Sequence, residues 1–314
     1  MILLSRRRLL SGAAALVAFS RLAGAQESVI RAEGNAYRYP LDEVAGASAA
    51  YSTRLLRSAY SGNCLKVRRS SDNTTQDIGF SGTGLDTTSL LSFCGAGNGF
   101  VDTWYDQSGN TRHATQATQA NQPQIVTSGA LTRTLGGQPC LDFASTWLEG
   151  TFGTSVIAAS AGTVGCVWRA DTFTNGTTSA PYNGAALWSA TNTGDVGAHF
   201  INPSAVQSLT TYSWDGNADN AYVACSASTN YVHLWRHSGG NLDCFLNSST
   251  SGMTTASGNT TPFSNTQFRL GRNYTTVNYD GALAEAIFYA SAITGASLTS
   301  LGQALAAPYG ITWT

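Results

Sequence analysis

The chain has 314 residues, of which only 11% are charged and 42% are hydrophobic, and its formal net charge is −1. A nearly neutral chain offers no basic surface, so nucleic acid and anionic lipid are excluded as expected partners. Soluble domains carry about 25% charged residues, and here Gly, Ser, Thr and Asn take their place. This composition is typical of an exported all-β protein with many turns.

The beginning of the chain predicts an export signal that is not part of the fold. Residues 5–8 form a basic region, residues 9–19 are small or apolar, and Ala23-Gly24-Ala25 resembles a cleavage site. The Arg pair favours a twin-Arg signal, and an ordinary Sec signal is the alternative. No later apolar run reaches the ~18–20 residues that a membrane helix needs. We therefore expect residues 1–25 to be removed and the mature protein to be periplasmic or extracellular, without a membrane partner.

A linker is expected over residues 26–45, followed by one domain over residues 46–314. Two short helices are predicted near the start of this domain. Ser48 to Tyr60 places its apolar side chains on one stripe, and Asp86 can cap a second helix over Thr87 to Phe93. Each helix is followed by an alternating run that predicts a strand. These runs are Cys64 to Arg69 and Gly99 to Tyr105.

From Gln138 onward the sequence predicts strands and turns, up to a short amphipathic helix over Ser297 to Ala307. The strands recur about every eight to twelve residues, with Gly, Asn, Asp and Ser between them, which favours a β sandwich. Gly239-Gly240-Asn241 predicts a tight hairpin. The predicted strands are Pro139–Phe143, Gly162–Arg169, Ala185–Ser189, Ala198–Ile201, Ser208–Trp214, Ala221–Ser226, Tyr231–His237, Leu242–Asn247, Gln267–Gly271 and Tyr279–Tyr289.

The cysteines predict disulfide bonds, because an even number of them in an exported chain is typical of a cross-linked protein. They are Cys64, Cys94, Cys140, Cys166, Cys225 and Cys244. Spacing alone does not fix their connectivity, and we expect neighbours along the chain to pair: 64 with 94, 140 with 166, and 225 with 244. The absence of a C-x-x-C spacing argues against zinc. The acidic run over residues 215–220 lacks the Gly and the Glu of a calcium loop. Neither a metal nor a cofactor is therefore predicted.

Two stretches resemble known families. The strings RLLRSAYSG (54–62), VRRSSDN (67–73) and WYDQSGN (104–110) resemble the N-terminal half of the catalytic domain of α-L-arabinofuranosidase B, a secreted glycosidase. The later strings FRLG (268–271) and YDGALAEAIFY (279–289) are similar to the closing strands of concanavalin A-like and laminin G-like sandwiches. The resemblance implies an all-β, concanavalin A-like jelly-roll sandwich with short N- and C-terminal helices.

The resemblance also implies a retaining glycosidase, which needs two carboxyl groups ~5–5.5 Å apart. In the family these are a Glu, shortly after a Cys-Cys pair, and an Asp in a Gly-Gly-Asp-Asn string. Here Ala185-Ala186 stands in place of the two cysteines, Thr191 stands near the Glu, and Gly271-Arg272-Asn273 stands in place of the Asp string. Neither Thr nor Asn can act as a carboxylate. We therefore expect that the family mechanism is lost.

Other carboxylates could replace the missing pair. Asp195 and Asp280 lie nearest by position and are the predicted catalytic candidates. The alternative is that Asp195 is a turn residue and Asp280 bonds backbone at a strand edge. Asp106, in YDQSGN, is expected to shape a tight loop. Glu285 lies inside an apolar strand and is expected to satisfy buried backbone groups.

Aromatic side chains predict contacts with sugar, because sugars present apolar C–H faces to flat rings. Trp188, Trp214 and Trp235, together with His199, are the predicted substrate-binding residues, and a role in the core is the alternative for each tryptophan. If 231–237 is a strand, His233 and His237 share one face with Trp235. That face could contact a sugar or be an ordinary solvent-exposed surface.

Three functions remain open at this stage. The first is an arabinofuranosidase-like glycoside hydrolase that removes terminal α-L-arabinofuranosyl residues from polysaccharide. The second is a lectin-like glycan-binding or adhesive module that keeps the sandwich and has lost the catalytic carboxylates. The third is a structural surface protein. A polysaccharide or other glycan is the expected partner for the first two.

Overall fold

Alternating apolar residues produce a mainly antiparallel β structure in this protein. The computed structural model describes residues 37–151, 161–173, 185–191, 195–201, 208–214, 218–256, 266–273 and 277–314. The predicted signal peptide and most of the predicted linker lie outside these ranges. The described strands are numbered in chain order as follows. They are β1 Ala47–Ser52, β2 Leu65–Arg69, β3 Thr75–Ile78, β4 Phe80–Ser81, β5 Gly84–Leu85, β6 Gly99–Trp104, β7 Ala114–Thr115, β8 Gln124–Thr127, β9 Ala130–Leu131, β10 Thr134–Leu135, β11 Gln138–Pro139, β12 Leu141–Ala144, β13 Leu148–Thr151, β14 Ala161–Ala170, β15 Ala186–Thr191, β16 Asp195–Ile201, β17 Ser208–Trp214, β18 Ala218–Ala224, β19 Tyr231–Ser238, β20 Asn241–Leu246, β21 Met253–Ala256, β22 Gln267–Leu270 and β23 Asp280–Tyr289.

Short helices flank the strands at both ends of the described chain. They are α1 Pro40–Glu43, α2 Thr87–Cys94 and α3 Gly295–Ala306, with 3₁₀ turns at Gln119–Asn121 and Ala307–Tyr309. The predicted cap of α2 is confirmed, because Asp86 Oδ1 accepts a hydrogen bond from Ser89 N at 3.0 Å. The tail helix is also confirmed, within two residues of its predicted bounds.

Two sheets form the sandwich. In the first sheet, β23 pairs with β14, β14 with β19, β19 with β20, and β20 with β21, while β1 and β12 both pair with the other edge of β23. In the second sheet, β13 pairs with β22, β22 with β15, and the pairing continues through β16, β17 and β18. Strands β6 and β7 connect the two sheets through β8 and β13. Every one of these pairs is antiparallel, so the predicted sandwich is confirmed.

Apolar side chains fill two layers. Between the sheets lies a cluster that contains Trp104, Trp168, Trp188, Trp235 and Phe288, all of them 0% exposed. A second cluster lies between the outer face of the first sheet and α3. Its helical members are spaced three or four residues apart, as one face of a helix requires: Leu298, Leu301 and Leu305.

The tight hairpin is confirmed, and the first predicted helix is wrong. Gly239 and Gly240, at φ 57° and 83°, form the turn between β19 and β20, where Ser238 pairs with Asn241. The run from Ser48 to Tyr60 instead begins with β1, whose six residues are all buried and pair with β23. A strand that is buried on both faces has no polar face, so its apolar pattern does not distinguish it from a helix.

Glu285 forms a buried ion pair inside the fold. Arg54 Nε and Nη2 donate to its two carboxylate oxygens at 2.5 and 3.1 Å, and Tyr309 Oη donates at 2.7 Å. Burial raises the pKa of Glu285, and the charge of Arg54 opposes this shift. The expectation that Glu285 satisfies backbone groups is therefore wrong, because its partners are side chains from the two ends of the domain.

The loop role predicted for Asp106 is confirmed. Its Oδ1 accepts hydrogen bonds from Ala50 N at 2.8 Å and Ser108 N at 2.9 Å. Its Oδ2 accepts from Ser108 Oγ at 2.8 Å and Arg112 N at 3.0 Å. One buried carboxylate thus organises the YDQSGN loop and attaches it to β1.

Candidate functional site

A cleft of about 390 Å³ lies beside β2, β6, β8 and β12. Its walls combine one aromatic ring, one guanidinium group, one carboxylate and several amides. The lining residues are Arg68, Phe100, Gln119, Ala120, Gln122, Gln124, Asp142, Ala144 and Thr146. Alternation along β12 explains part of this set, since Leu141 and Phe143 point into the core and Asp142 and Ala144 point outward.

Arg68 organises one end of the cleft. The residue is 8% exposed, and its Nε donates to Gln122 Oε1 at 2.7 Å and its Nη1 to Asn73 Oδ1 at 2.8 Å. Its guanidinium lies 4.8 Å from the centre of the Phe100 ring. Burial lowers the pKa of Arg68, but an arginine keeps its charge in proteins. A buried cation held by neutral amides and an aromatic ring therefore forms this wall.

Asp142 lies at the other end of the cleft. Arg133 Nε is 2.6 Å from Asp142 Oδ1, and the same guanidinium also forms an ion pair with Asp171. Burial raises the pKa of Asp142; the charge of Arg133 opposes the shift, and the charges of Asp171 and Asp280 add to it. The cleft therefore contains a carboxyl group that takes up a proton more readily than an exposed aspartate.

Asp280, a predicted catalytic residue, lies close to Asp142. Asp142 pairs with Ala282, and Ala144 pairs with Asp280, so the two carboxylates are diagonal neighbours on one face of β12 and β23. The strand positions of such neighbours are about 7–8 Å apart, so both side chains can contact one ligand. Asp280 Oδ2 also accepts a hydrogen bond from Thr172 Oγ1 at 2.7 Å.

Arg272 lies in a loop that adjoins the cleft, at the position predicted for the family's Asp. Its guanidinium stacks 3.9 Å from the centre of the Trp147 ring, next to the cleft residue Thr146. The turn requires Gly271, whose φ is 82° and where a side chain would collide with Phe143. Within the described residues, Thr146 Oγ1, Trp147 Nε1 and Arg272 Nε are buried without a hydrogen-bond partner. A cation stacked on an indole thus lies at the position predicted for the family's carboxylate.

The backbones of Asp195 and Asp280 lie at opposite ends of β22. The backbone of Asp195 begins β16, next to the end of β15 where Thr191 pairs with Gln267. Asp280 follows the turn beyond Leu270, at the opposite end of β22. The intervening strand spans roughly 10 Å at ~3.3 Å per residue. The side chain of Asp195 lies outside the described residues, so the catalytic pair stays a prediction.

The predicted sugar contacts at Trp188, Trp235 and His199 are wrong for this structure, because all three side chains are 0% exposed. Trp188 packs edge-on against Trp235 at 5.5 Å and against Phe288 at 5.7 Å between the sheets. A ring enclosed in this way has no face for a saccharide. The backbone of Trp214 lies in β17, and its side chain lies outside the described residues.

His233 and His237 face neither sugar nor solvent, since both are 0% exposed. Both expectations for this strand face are therefore wrong. His233 Nε2 lies 3.6 Å from Cys244 Sγ, and burial lowers the pKa of His233 to about 3. The strand face predicted to be exposed is the inner face of β19 in the sandwich.

The predicted disulfide between Cys64 and Cys94 is wrong. All six cysteines are free thiols in the structure, and all are buried. Cys64 precedes the first residue of β2. Cys94 Sγ lies 2.7 Å from where a side chain on Gly99 would begin, and Gly99 pairs with Arg69, the last residue of β2. The length of a strand therefore separates the two thiols.

The predicted disulfide between Cys140 and Cys166 is also wrong. Cys140 belongs to the cluster under α3, whereas Cys166 belongs to the cluster between the sheets. The first sheet therefore separates these two thiols, because a strand sends successive side chains to opposite faces.

Two further observations concern only the part of the chain that the structure describes. No group of three or more His, Cys, Asp or Glu residues there could hold a metal ion. No helix there is long and apolar enough to cross a membrane.

Sequence reasoning missed the residues that line the cleft. Arg68 lies in the VRRSSDN string, which indicates only the family resemblance, and Gln122 lies outside the strings that carry that resemblance. Asp142 lies within a predicted strand where a lone acidic residue faces outward. Arg68 and Asp142, which lie on the outward faces of separate strands, were the sequence features that could have indicated the cleft. Their proximity, however, depends on the pairing of β6, β8 and β12.

Comparisons with known proteins agree with this architecture. A model of the family "Alpha-L-arabinofuranosidase B, catalytic" matches residues 41–137, which is less than half of the chain. The chain resembles this catalytic domain. No curated protein matches it.

Solved arabinofuranosidase structures share the fold. A GH54 α-L-arabinofuranosidase soaked with a cyclic sulfate inhibitor is 19% identical, with a TM-score of 0.64. A Glu-to-Gln mutant of a GH54 enzyme, soaked with 4-nitrophenyl α-L-arabinofuranoside, is 19% identical with a TM-score of 0.66. An arabinofuranosidase complexed with arabinofuranosyl-α-1,2-xylobiose is 18% identical with a TM-score of 0.65. Each match covers 86% of this chain but only 65% of the other. At these identities, the similarity establishes the fold.

Proposed function

We propose that this protein is an exported glycan-binding protein that uses the arabinofuranosidase B scaffold without the family's catalytic pair. The cleft beside β2, β6, β8 and β12 is the proposed binding site, and arabinose-containing polysaccharide is the proposed ligand. The observation that carries the proposal is the composition of the cleft, in which Arg68, Phe100, Gln122 and Asp142 surround one volume of about 390 Å³.

The chemistry of these walls suits a saccharide. A sugar hydroxyl both donates and accepts hydrogen bonds, so a site needs groups of both kinds. Arg68 donates, Asp142 accepts, and the amide of Gln124 does both. Phe100 supplies apolar area for C–H groups. Ligand sites generally combine an apolar surface with a few placed polar groups in a volume of about 300–1,000 Å³.

Binding is favoured over the family's hydrolysis by the residues near the aligned catalytic positions. Thr191 stands near the place of the Glu, and Arg272 stands in place of the Asp. A guanidinium stacked on Trp147 can neither attack a sugar nor transfer a proton at neutral pH, because its pKa is too high. The likeness to enzymes crystallised with arabinofuranosides supports the sugar class without requiring their mechanism.

Hydrolysis by a different pair is the second candidate function. It is favoured by the diagonal arrangement of Asp142 and Asp280 and by the raised pKa of Asp142. In this version Asp142 is the general acid and Asp280 activates a water molecule, which inverts the configuration of the sugar. The ion pair between Asp142 and Arg133 opposes protonation of Asp142, so this remains the second candidate.

Export is part of the proposal. Residues 1–25 have the basic, apolar and small-residue order of a signal peptide, which supports export of the mature protein to the periplasm or outside the cell. Polysaccharide is available there, and so are oxidising conditions.

Isothermal titration calorimetry with arabinan and arabinoxylan oligosaccharides tests the binding proposal. We expect Arg68→Gln and Asp142→Asn each to weaken binding about tenfold or more, while Arg69→Gln leaves it unchanged. Arg69 is a matched control, because it adjoins Arg68 but pairs with Asp72 away from the cleft. Equal affinity in all four proteins, or no binding by the wild type, would overturn the proposal.

The same proteins and Asp280→Asn, incubated with 4-nitrophenyl α-L-arabinofuranoside, distinguish the two candidates. Binding without release of nitrophenol supports the glycan-binding function. Turnover that Asp142→Asn and Asp280→Asn each abolish would replace it with hydrolysis by that pair.

A further inference from the structure

Cys225 and Cys244 are the predicted cysteine pair that the fold brings to one place. Cys244 lies in β20, and its Sγ is 3.9 Å from Leu209 O. Cys225 directly follows β18, and its thiol lies near the main chain of Leu209. Both side chains belong to the cluster between the sheets, with exposures of 7% for Cys225 and 0% for Cys244. Both thiols therefore lie near the same residue of β17.

We propose that Cys225 and Cys244 form a disulfide bond in the exported protein, and that it is the single cross-link among the six cysteines. The other two predicted pairs are separated by the length of β2 and by the first sheet. This bond would join β18 of the second sheet to β20 of the first sheet, which pack against each other. The inference rests on the proposed export to an oxidising compartment, and it does not depend on glycan binding.

The reaction is a thiol–disulfide exchange with a protein or low-molecular-weight disulfide as oxidant. One cysteine thiolate attacks a sulfur of the oxidant, forms a mixed disulfide and releases one thiolate. The second cysteine thiolate then attacks its partner's sulfur, closes the Cys225–Cys244 bond and releases the second thiolate. Two electrons pass to the oxidant, and the two protons lost by the cysteines appear on its released thiols.

The surroundings affect the rate of this exchange. Burial raises the pKa of the Cys225 thiol to about 12, so little thiolate forms and oxidation of the folded protein is slow. His233 Nε2 lies 3.6 Å from Cys244 Sγ. The ring is neutral because burial lowers its pKa, so its Nε2 can accept a hydrogen bond from the thiol but does not take its proton.

Peptide mapping of the purified protein tests the inference without depending on export or on a glycan. The folded, reduced protein is incubated with oxidised glutathione, alkylated, unfolded and digested. Trypsin cleaves after Arg236, between the two cysteines, so the cross-link joins two separate peptides. We expect this pair of peptides, with the other four cysteines recovered as thiols. Protein collected from outside the cytoplasm should give the same map.

Matched variants make the result specific. Cys225→Ser and Cys244→Ser should each leave every remaining cysteine unlinked, whereas Cys140→Ser should retain the cross-link. Near-ultraviolet circular dichroism checks that each variant is folded. Glutathione adducts alone, six recovered thiols, or a different linkage in the native protein would each overturn the inference. If glycan binding persisted in that case, the proposed function would stand.

Discussion

Residues 41–137, which match the family model, and the second sheet, which leads into the Arg272 turn, retain different parts of the arabinofuranosidase pattern. In the first region, motif residues have identifiable contacts: Asp106 organises a loop and Arg68 forms a wall of the cleft. In the second region, Thr191 and Arg272 stand at or near the positions predicted for the family's carboxylates. The comparison teaches that residues of the strings that identify the family maintain the scaffold.

The largest expected effect concerns the ion pair that ties the first region to β23. Replacing Arg54 with Met leaves the Glu285 carboxylate buried with only Tyr309 as a charge-stabilising partner. Breaking a buried pair in this way costs about 3–5 kcal/mol. Urea denaturation should show this loss of unfolding free energy, while Arg57→Met, at an exposed position, should change it little. A loss below about 1 kcal/mol would mean that the motif arginine does not hold the two regions together.

The pH dependence of stability tests how well the core between the two sheets excludes protons from His233. The pKa of His233 is lowered from 6.5 to about 3 in the folded protein. Between those pH values the unfolded chain binds a proton that the folded protein does not, so stability falls as the pH falls. Below about pH 6, His233 lowers the free energy of unfolding by on the order of 1.4 kcal/mol for each unit by which the pH falls.

Chemical denaturation of the wild type and His233→Gln between pH 4 and 7 (chosen as about two units below and just above the histidine's ordinary pKa) measures this slope. The variant should lose stability less steeply on acidification, even if it is less stable at pH 7. Parallel curves would show that His233 is accessible to protons in the folded protein.

The smallest expected effect concerns the turn at Arg272. Arg272→Gln removes the guanidinium stacked on Trp147, a contact worth roughly 0.5–2 kcal/mol. We expect a modest loss of stability and no turnover of an aryl arabinofuranoside, since one amide does not restore a carboxylate pair. Thermal unfolding and a nitrophenol assay measure the two outcomes. Hydrolysis that depended on Arg272 would show that the second region retains a chemistry of its own.

Much of the fold could be predicted from local pattern, and little of the site could. Alternation predicts strands such as β2 and β6, and paired glycines predict the β19–β20 hairpin. The pattern of β1 predicts a helix instead, because a strand buried on both faces shows no alternation. The sandwich core contains Trp188 and Trp235, whose identity alone does not distinguish a core ring from a sugar platform.

The cleft could not be predicted because it depends on contacts between distant segments. Arg68 and Gln122 are 54 positions apart, and Arg54 and Glu285 are 231 apart. Such pairs form only after β2, β6, β8, β12 and β23 have taken their registers. The sequence indicates which side chains are available, while strand pairing decides which of them meet.

A crystal structure with arabinofuranosyl-α-1,2-xylobiose, the ligand of one structural relative, tests the central claim most directly. The claim predicts the sugar in the cleft, with a ring beside Phe100 and hydroxyls within hydrogen-bond distance of Arg68 and Asp142. Sugar bound over the Arg272 turn and the second sheet instead, with the cleft empty, would contradict it.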